Sequence, residues 1–505
     1  MQGSFMRGTI ALALLVSITG VTASAASPFD DLLTRVPPDA NVIMVADIPA
    51  IQNSPFGAAR KLAEKRLRDY RSGLTDIPPT ARRAVIAEVF DYATLRPVWR
   101  MGIIEVSTPL TPDQVAKRQT GTLDTVGGLP VVVCPKGELF VFFSPTIIGE
   151  VTGIQRQELA RWLRAGNSRK QPAISDYLRQ AAESVGTDAQ LVEAFDLDEV
   201  FHSAGLQEKL KDSKAVSESG VDASKVVDTL AGLRGAQLRM KMTDAIVGEI
   251  RLDFPRPPEV LRSVGKPLLL EIIGRMGAEI EDVNNWTPRI EGNQFVLRGA
   301  ITLVNARLML SPVDFRSTRQ AYMEQVDSGT TSELHADPKV RASVDYYRTL
   351  TALLEDIEPG KKANNTERRT YYYKLYADKI DALPILNVDP DVLQVGAAIS
   401  VTLRNMSYMS SMSVQQYSNI MAQYQQGFAD AAVGYGGYGP YGYGGYVYSV
   451  PTPSAVNIDN FQQIRGMLAT NATNMKAYRE QTWVNIKVVL QNLRRKLVEK
   501  YQVDI

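Results

Sequence analysis

Near its start the chain reads Val36-Pro-Pro-Asp39-Ala40-Asn-Val-Ile-Met-Val-Ala-Asp47-Ile48. Farther on it reads Val185-Gly-Thr-Asp188-Ala189-Gln-Leu-Val-Glu-Ala-Phe-Asp196-Leu197. Aligned without a gap, 149 residues apart, the two stretches share Val36/Val185, Asp39/Asp188, Ala40/Ala189, Asp47/Asp196 and, just beyond, Ser54/Ser203. Ile48/Leu197 and Ile51/Val200 agree in type. In each, a polar turn feeds an apolar run that ends at an aspartate. A short apolar run bounded by turn residues is the pattern of a strand. The match reads as an internal duplication. Its period is the size of a domain, so tandem domains are expected rather than a solenoid.

The rest of each unit is consistent with sheet plus helix. In the first, Ser54 to Tyr70 and Pro79 to Tyr92 read as helices, the second from the spacing of Val85, Val89 and Phe90. Val98 to Val106 reads as a strand. Leu129 to Cys134 and Glu138 to Phe143 read as a hairpin around Pro135-Lys136-Gly137. A helix is expected from Ile147 to Ala165. In the second unit, Ala223 to Leu233 and Pro258 to Met276 read as helices, Gln237 to Met242 with Val247 to Phe254 as a hairpin, and Asn293 to Leu310 as another. Asp47 and Asp196 each close a strand, where a carboxylate caps a helix or turn; this outweighs an active-site reading.

A chain of 505 residues is long enough for two or three cores. Lys+Arg 56 against Asp+Glu 55 gives no global reason to expect nucleic acid or an anionic membrane as partner. Arg7, the apolar run Thr9 to Val21 and Ala23-Ser24-Ala25 form the pattern of a secretory signal, with the mature chain starting at Ala26. No later run is apolar for the roughly 20 residues a membrane helix needs. Cys134 is the single cysteine, so no disulfide forms within the chain; it reads as a small buried apolar residue.

Catalytic signatures are scarce. The two histidines, His202 and His335, are far apart in sequence. No HExxH, nucleophile elbow or phosphate loop occurs. Gly434-Tyr-Gly436-Gly-Tyr-Gly439 matches GxGxxG in form only, because it leaves an expected helix instead of a strand. No catalytic residue, cofactor or metal ligand is therefore assigned.

From Asp337 onward helical spacing takes over. Asp337-Pro338 and Asp389-Pro390 each start a helix, Asp at the cap and Pro at the first turn. Asn365 to Leu383 carries Tyr372, Tyr376, Ile380 and Leu383 down one face. Two long patterns, 389–433 and 457–503, flank the stretch 434–448, GYGGYGPYGYGGYVY. They predict an antiparallel coiled-coil hairpin, each arm roughly 60 Å long. Its Gly/Tyr-rich tip offers Tyr435, Tyr438, Tyr441, Tyr443, Tyr446 and Tyr448 as a candidate interaction surface.

Pro38-Asp39-Ala40 running to Asp47, together with Gly434 to Tyr448, resembles exported proteins of unassigned function in planctomycete-type bacteria. The resemblance implies export and a bacterial envelope setting, and no activity. The expected fold is α+β: a signal peptide (1–25), two sheet-plus-helix repeats (26–170 and 171–330) and a helical domain (331–505). The expected function is that of a non-catalytic, exported, envelope-associated structural or interaction protein, periplasmic or extracellular. Its partner would be an unknown protein or an envelope polymer, or another copy through the helices, and not nucleic acid. The alternative is a small-ligand or glycan-binding protein, or a hydrolase, using a cleft between the repeats.

Overall fold

A computed structural model describes residues 27–71, 75–92, 96–135, 137–166, 169–310, 337–358, 369–408 and 475–503. The signal segment, His335 and the six tip tyrosines, Tyr435, Tyr438, Tyr441, Tyr443, Tyr446 and Tyr448, lie outside these residues, as do 409–474 of the expected hairpin.

The strands are β1 Val42–Asp47, β2 Ala81–Asp91, β3 Arg96–Val106, β4 Thr122–Val126, β5 Leu129–Val133, β6 Leu139–Ser144, β7 Ile147–Thr152, β8 Leu191–Asp196, β9 Gly235–Met242, β10 Ile246–Asp253, β11 Thr287–Glu291 and β12 Gln294–Ile301. All belong to one 12-stranded sheet in the order β11-β12-β10-β9-β8-β1-β2-β3-β7-β6-β5-β4. With its covering helices this is an α+β fold.

The two matching stretches lie side by side at the centre. β1 pairs antiparallel with β8, and Met44 faces Glu193. These two residues are themselves 149 apart. A two-fold relation between the strands must therefore pass through this pair. From it the halves run outward in matching order, β1-β2-β3-β7-β6 on one side and β8-β9-β10-β12-β11 on the other. The expected tandem units thus share a single sheet.

The face carrying Ile43 and Val45 is here called the front; that carrying Met44 the back. On the front of the first half, Leu32, Leu33, Leu159, Leu163, Leu178 and Ala181 pack onto β1–β3 and β5–β8. They come from the helices Asp30–Leu33, Arg156–Gly166 and Asp176–Glu183. On the back of the second half, helices between Ser203 and Arg275 and the C-terminal helices form the largest core.

Three segments differ from their sequence reading. Residues 81–91, expected to be helical, form β2, whose middle is buried on both faces. A doubly covered strand loses its alternation, and the remaining apolar spacing mimics a helix. Residues 147–152 form β7, and the helix starts only at Arg156. Gly149 lies in this strand because a Cβ there would come within 2.9 Å of Phe143 and 3.0 Å of Met101. Residues 293–310 are a strand followed by the helix Leu303–Leu310; β12 pairs with the preceding β11 instead of folding back on itself.

In the C-terminal part the helix Pro338–Ile357 is capped by Asp337, whose carboxylate accepts from Lys339 N. Tyr372, Tyr376 and Ile380 are buried as one face of Thr370–Asp381. Pro390–Tyr408 meets the end of Met475–Tyr501 through Lys496–Asp391 at 2.6 Å and Lys500–Asp389 at 2.6 Å. Buried Asp389 also accepts from Tyr501 Oη at 2.5 Å and Asp391 N at 2.9 Å. Asp389→Ala is expected to cost about 2 kcal/mol, because several bonds to one buried charge are lost together. Urea denaturation measures this; an unchanged midpoint refutes the anchor. Among the described residues no helix is long and apolar enough to cross a membrane.

Candidate anion-binding face

The matching order of the halves allows a position-by-position comparison. Ile43 and Val192 are equivalent, 149 residues apart. Ile43 faces Ala87 on β2, Ala87 faces Met101 on β3, and Met101 faces Val151 on β7. In the second half, Val192 faces Arg239 on β9, Arg239 faces Glu249 on β10, and Glu249 faces Arg298 on β12. The same count places Arg251 where the first half has Ile103, and Lys241 where it has Val89. Thus the buried row Ala87, Met101, Val151 becomes the charged row Arg239, Glu249, Arg298.

The local sequence explains how both rows fit one fold. β9 and β10 alternate: Leu238, Met240, Ile246 and Ile250 turn to the back, and Arg239, Lys241, Glu249 and Arg251 to the front. Alternation with one wet face is what an antiparallel sheet permits. The Asp176–Glu183 helix covers one end of this front face. Its Tyr177 hydroxyl donates to Asp253 Oδ2 at 2.7 Å, and its ring lies over Gly235, where a Cβ would come within 2.2 Å. The other end is open.

There Asp188, Ala189, Arg239, Lys241, Val247, Glu249, Arg251 and Arg298 line a shallow concavity of about 510 Å³, its open mouth included. Four cations meet two carboxylates. Arg239 is only 4% exposed and lies 3.4 Å from Asp188 and 3.9 Å from Glu249. Burial, and then the neighbouring charge of Arg251, lower the pKa of its guanidinium. Arg251 Nε donates to Glu249 Oε1, and Arg298 approaches Glu249 Oε2 at 3.8 Å. Lys241 is exposed and makes no ion pair among the described residues. The concavity therefore carries a positive excess over a partly dry floor, where charges are screened less than in water.

A second asymmetry lies on the back. Glu88, Arg100 and Glu150 hold the places that Met240, Gly248 and Leu297 hold in the other half. Arg100 Nε donates to Glu88 Oε2 at 2.8 Å. Glu193 stands opposite Met44 and is 3% exposed. Burial holds the carboxyls of Glu88, Glu150 and Glu193 above their ordinary range, Glu193 at about 8. Tyr371 feels Arg100, Glu193 and Glu88 from the covering helix, and burial raises its hydroxyl. The boundary between the halves is thus a bonded strand pair with buried carboxylates behind it, not a gap in the sheet.

Among the residues singled out in the sequence, Asp188 and Ala189 belong to the open concavity. Asp39, the counterpart of Asp188, instead accepts from Trp99 Nε1 at 3.2 Å. Asp47 caps a helix by accepting from Ala50 N at 2.9 Å, and Asp196 accepts from Asp198 N at 3.2 Å. Cys134 is buried with Phe140 and Phe142. His202 is exposed at the start of Ser203–Leu210. The arginines of the concavity were not singled out by sequence reasoning; their signal is the charged phase of the β9 and β10 alternation. Among the described residues no group of three His, Cys, Asp or Glu could hold a metal ion.

No family model matches the sequence, and no curated protein matches it. Among solved structures, crystal form I of TP0453 is similar at a TM-score of 0.34 and 12% identity, over 58% of this chain and 99% of that chain. Crystal form III of TP0453 is similar at 0.31 and 12%, over 55% and 94%. The site stands on its own geometry.

Proposed function

We propose that this chain is an exported, non-catalytic binding protein of the cell envelope that holds an anionic polymer on the open front of its second half-sheet. One observation carries the reading. Positions that are apolar core in the first half are charged in the second and line a concavity, with four cations beside two carboxylates. The strand ladder itself accepts apolar residues at these positions, since the equivalents in the other half are Ala87, Met101, Ile103 and Val151, buried beneath helices. Several cations spread over β9, β10 and β12 suit a ligand with repeated negative groups better than one small anion. The stretch 389–503, expected from the sequence to form a hairpin with a tyrosine-rich tip, would then present or cluster this body at the envelope.

The test is binding of dextran sulfate and poly-L-glutamate to the full mature chain. The double variant Lys241→Glu/Arg298→Glu places two negative charges at exposed positions. It should bind at least about tenfold more weakly, with wild-type affinity falling as salt rises. Equal binding by a folded double variant, or wild-type affinity independent of salt, rejects the reading.

A further inference from the structure

Glu249 is the unusual member of the front row. It is an anion at the centre of a cationic concavity, with Arg239, Arg251 and Arg298 all turned toward it. Only Arg251 makes a hydrogen bond to it. Arg239 at 3.9 Å and Arg298 at 3.8 Å are beyond hydrogen-bond range, so their donors point at the carboxylate without being used on it. Arg298 and Lys241 donate no hydrogen bond to any described residue. Arg239 is shared between Glu249 and Asp188, its 3.4 Å contact with Asp188 being the shorter.

We propose that Glu249 occupies the place of the ligand's own oxyanion, so that the concavity binds by exchange. An entering phosphate or carboxylate group takes Arg239 and Arg298 from Glu249, adds Lys241 as a third contact, and leaves Glu249 on Arg251 alone. The inference rests on the anion-binding reading and assigns Glu249 the role of an internal competitor that sets the affinity. Guanidinium groups bind both oxyanions through paired N–H donors, and both donors are available on Arg298. The arrangement also accounts for a carboxylate in a row that otherwise attracts anions. Without it, Arg251 and Arg298 would lose the carboxylate they approach, and Arg239 would keep only Asp188 while the site is empty.

The sign of the test is opposite to that of an ordinary binding residue. Removing Glu249's charge should strengthen binding. Calorimetric titration of wild type and Glu249→Gln with inorganic tripolyphosphate and with poly-L-glutamate should show about tenfold tighter binding by the variant, from the loss of one negative charge beside the ligand. The probe that gains more identifies the preferred oxyanion, phosphate or carboxylate. Asp188→Asn frees Arg239 from the exposed rim and should tighten binding about two- to threefold. This second variant decides the matter if Glu249→Gln does not fold. If folded Glu249→Gln binds no tighter while the wild type still binds, exchange is overturned and the anion-binding reading stands. If neither protein binds either probe, both are overturned.

Discussion

Glutamine at position 193 is expected to stabilise the protein at pH 8 and to leave its stability almost unchanged at pH 4. Glu193 lies at the centre of the sheet, opposite Met44 and beneath the C-terminal helices. Its neighbours on the back include Leu238 on β9, Glu88 on β2 and Arg100 on β3, with Tyr371 and Tyr372 on the covering helix. Burial disfavours the charged carboxylate, Glu88 adds to the cost, and Arg100 opposes it; together they push the carboxyl from 4.5 to about 8. Below the unfolded value both states hold the proton, and the titration of Glu193 adds no pH dependence. Between the two values the unfolded chain releases the proton and the folded chain keeps it. Stability therefore falls as pH rises, until the folded group also ionises near pH 8. At 1.36 kcal/mol per unit the full loss is at most ~5 kcal/mol. Glutamine keeps the shape and removes the titration. Urea midpoints across this range should diverge with rising pH, to a gain of about 4 kcal/mol at pH 8. Parallel curves for the two proteins would show that Glu193 finds compensation in the folded chain.

That cost makes the back row hard to explain as scaffold. Its equivalents Met240, Gly248 and Leu297 show that the ladder accepts apolar residues. Net charge could not reveal this, because Lys+Arg 56 and Asp+Glu 55 cancel over the chain while separating by face within it.

What the sequence shows and what it hides follow from one fact: a strand's pattern records burial on both of its faces. β9 and β10 are wet on the front, so Leu238, Arg239, Met240 and Lys241 alternate cleanly, and their hairpin is legible. β2 is covered on both sides, so Ala84 through Val89 carry no alternation, and Val85 with Val89 imitates a helix. The match between the two stretches is legible at Asp47 and Asp196, which accept from backbone N–H groups two or three residues on, whereas Asp39 and Asp188 meet Trp99 and Arg239 from distant strands. That the two matching stretches pair with each other is not legible, since register across 149 residues leaves no local mark. The site is hidden for the same reason. Arg239 and Arg298 look like solvated charges until Ala87 and Val151 are seen in the same places of the other half.

Replacing Trp286 by alanine is expected to cause the largest loss of stability, about 4 kcal/mol. The indole is 1% exposed and lies on the back of β10 and β12, and its Nε1 donates to Ala300 O at 2.9 Å. It fits there because Gly248 and Gly299 face each other across those strands. A Cβ on either would come within 2.4 Å of the ring. Glycine weakens a strand interior, so two facing glycines are retained where something packs against the bare backbone. Gly299→Ala should therefore cost about 1–3 kcal/mol through crowding. In the Trp286→Ala background the crowding disappears, and the same substitution should be neutral or stabilising. A double-mutant cycle reads this coupling directly; additive losses would mean that the ring and the glycines do not support each other. The consequence reaches the other face. Arg298 precedes Gly299 on β12, and Glu249 follows Gly248 on β10, so the indole packs directly behind the strand positions that carry the anion site. Trp286→Ala should accordingly weaken dextran sulfate binding well below its unfolding temperature, whereas a purely thermal role would leave that binding intact until the sheet melts.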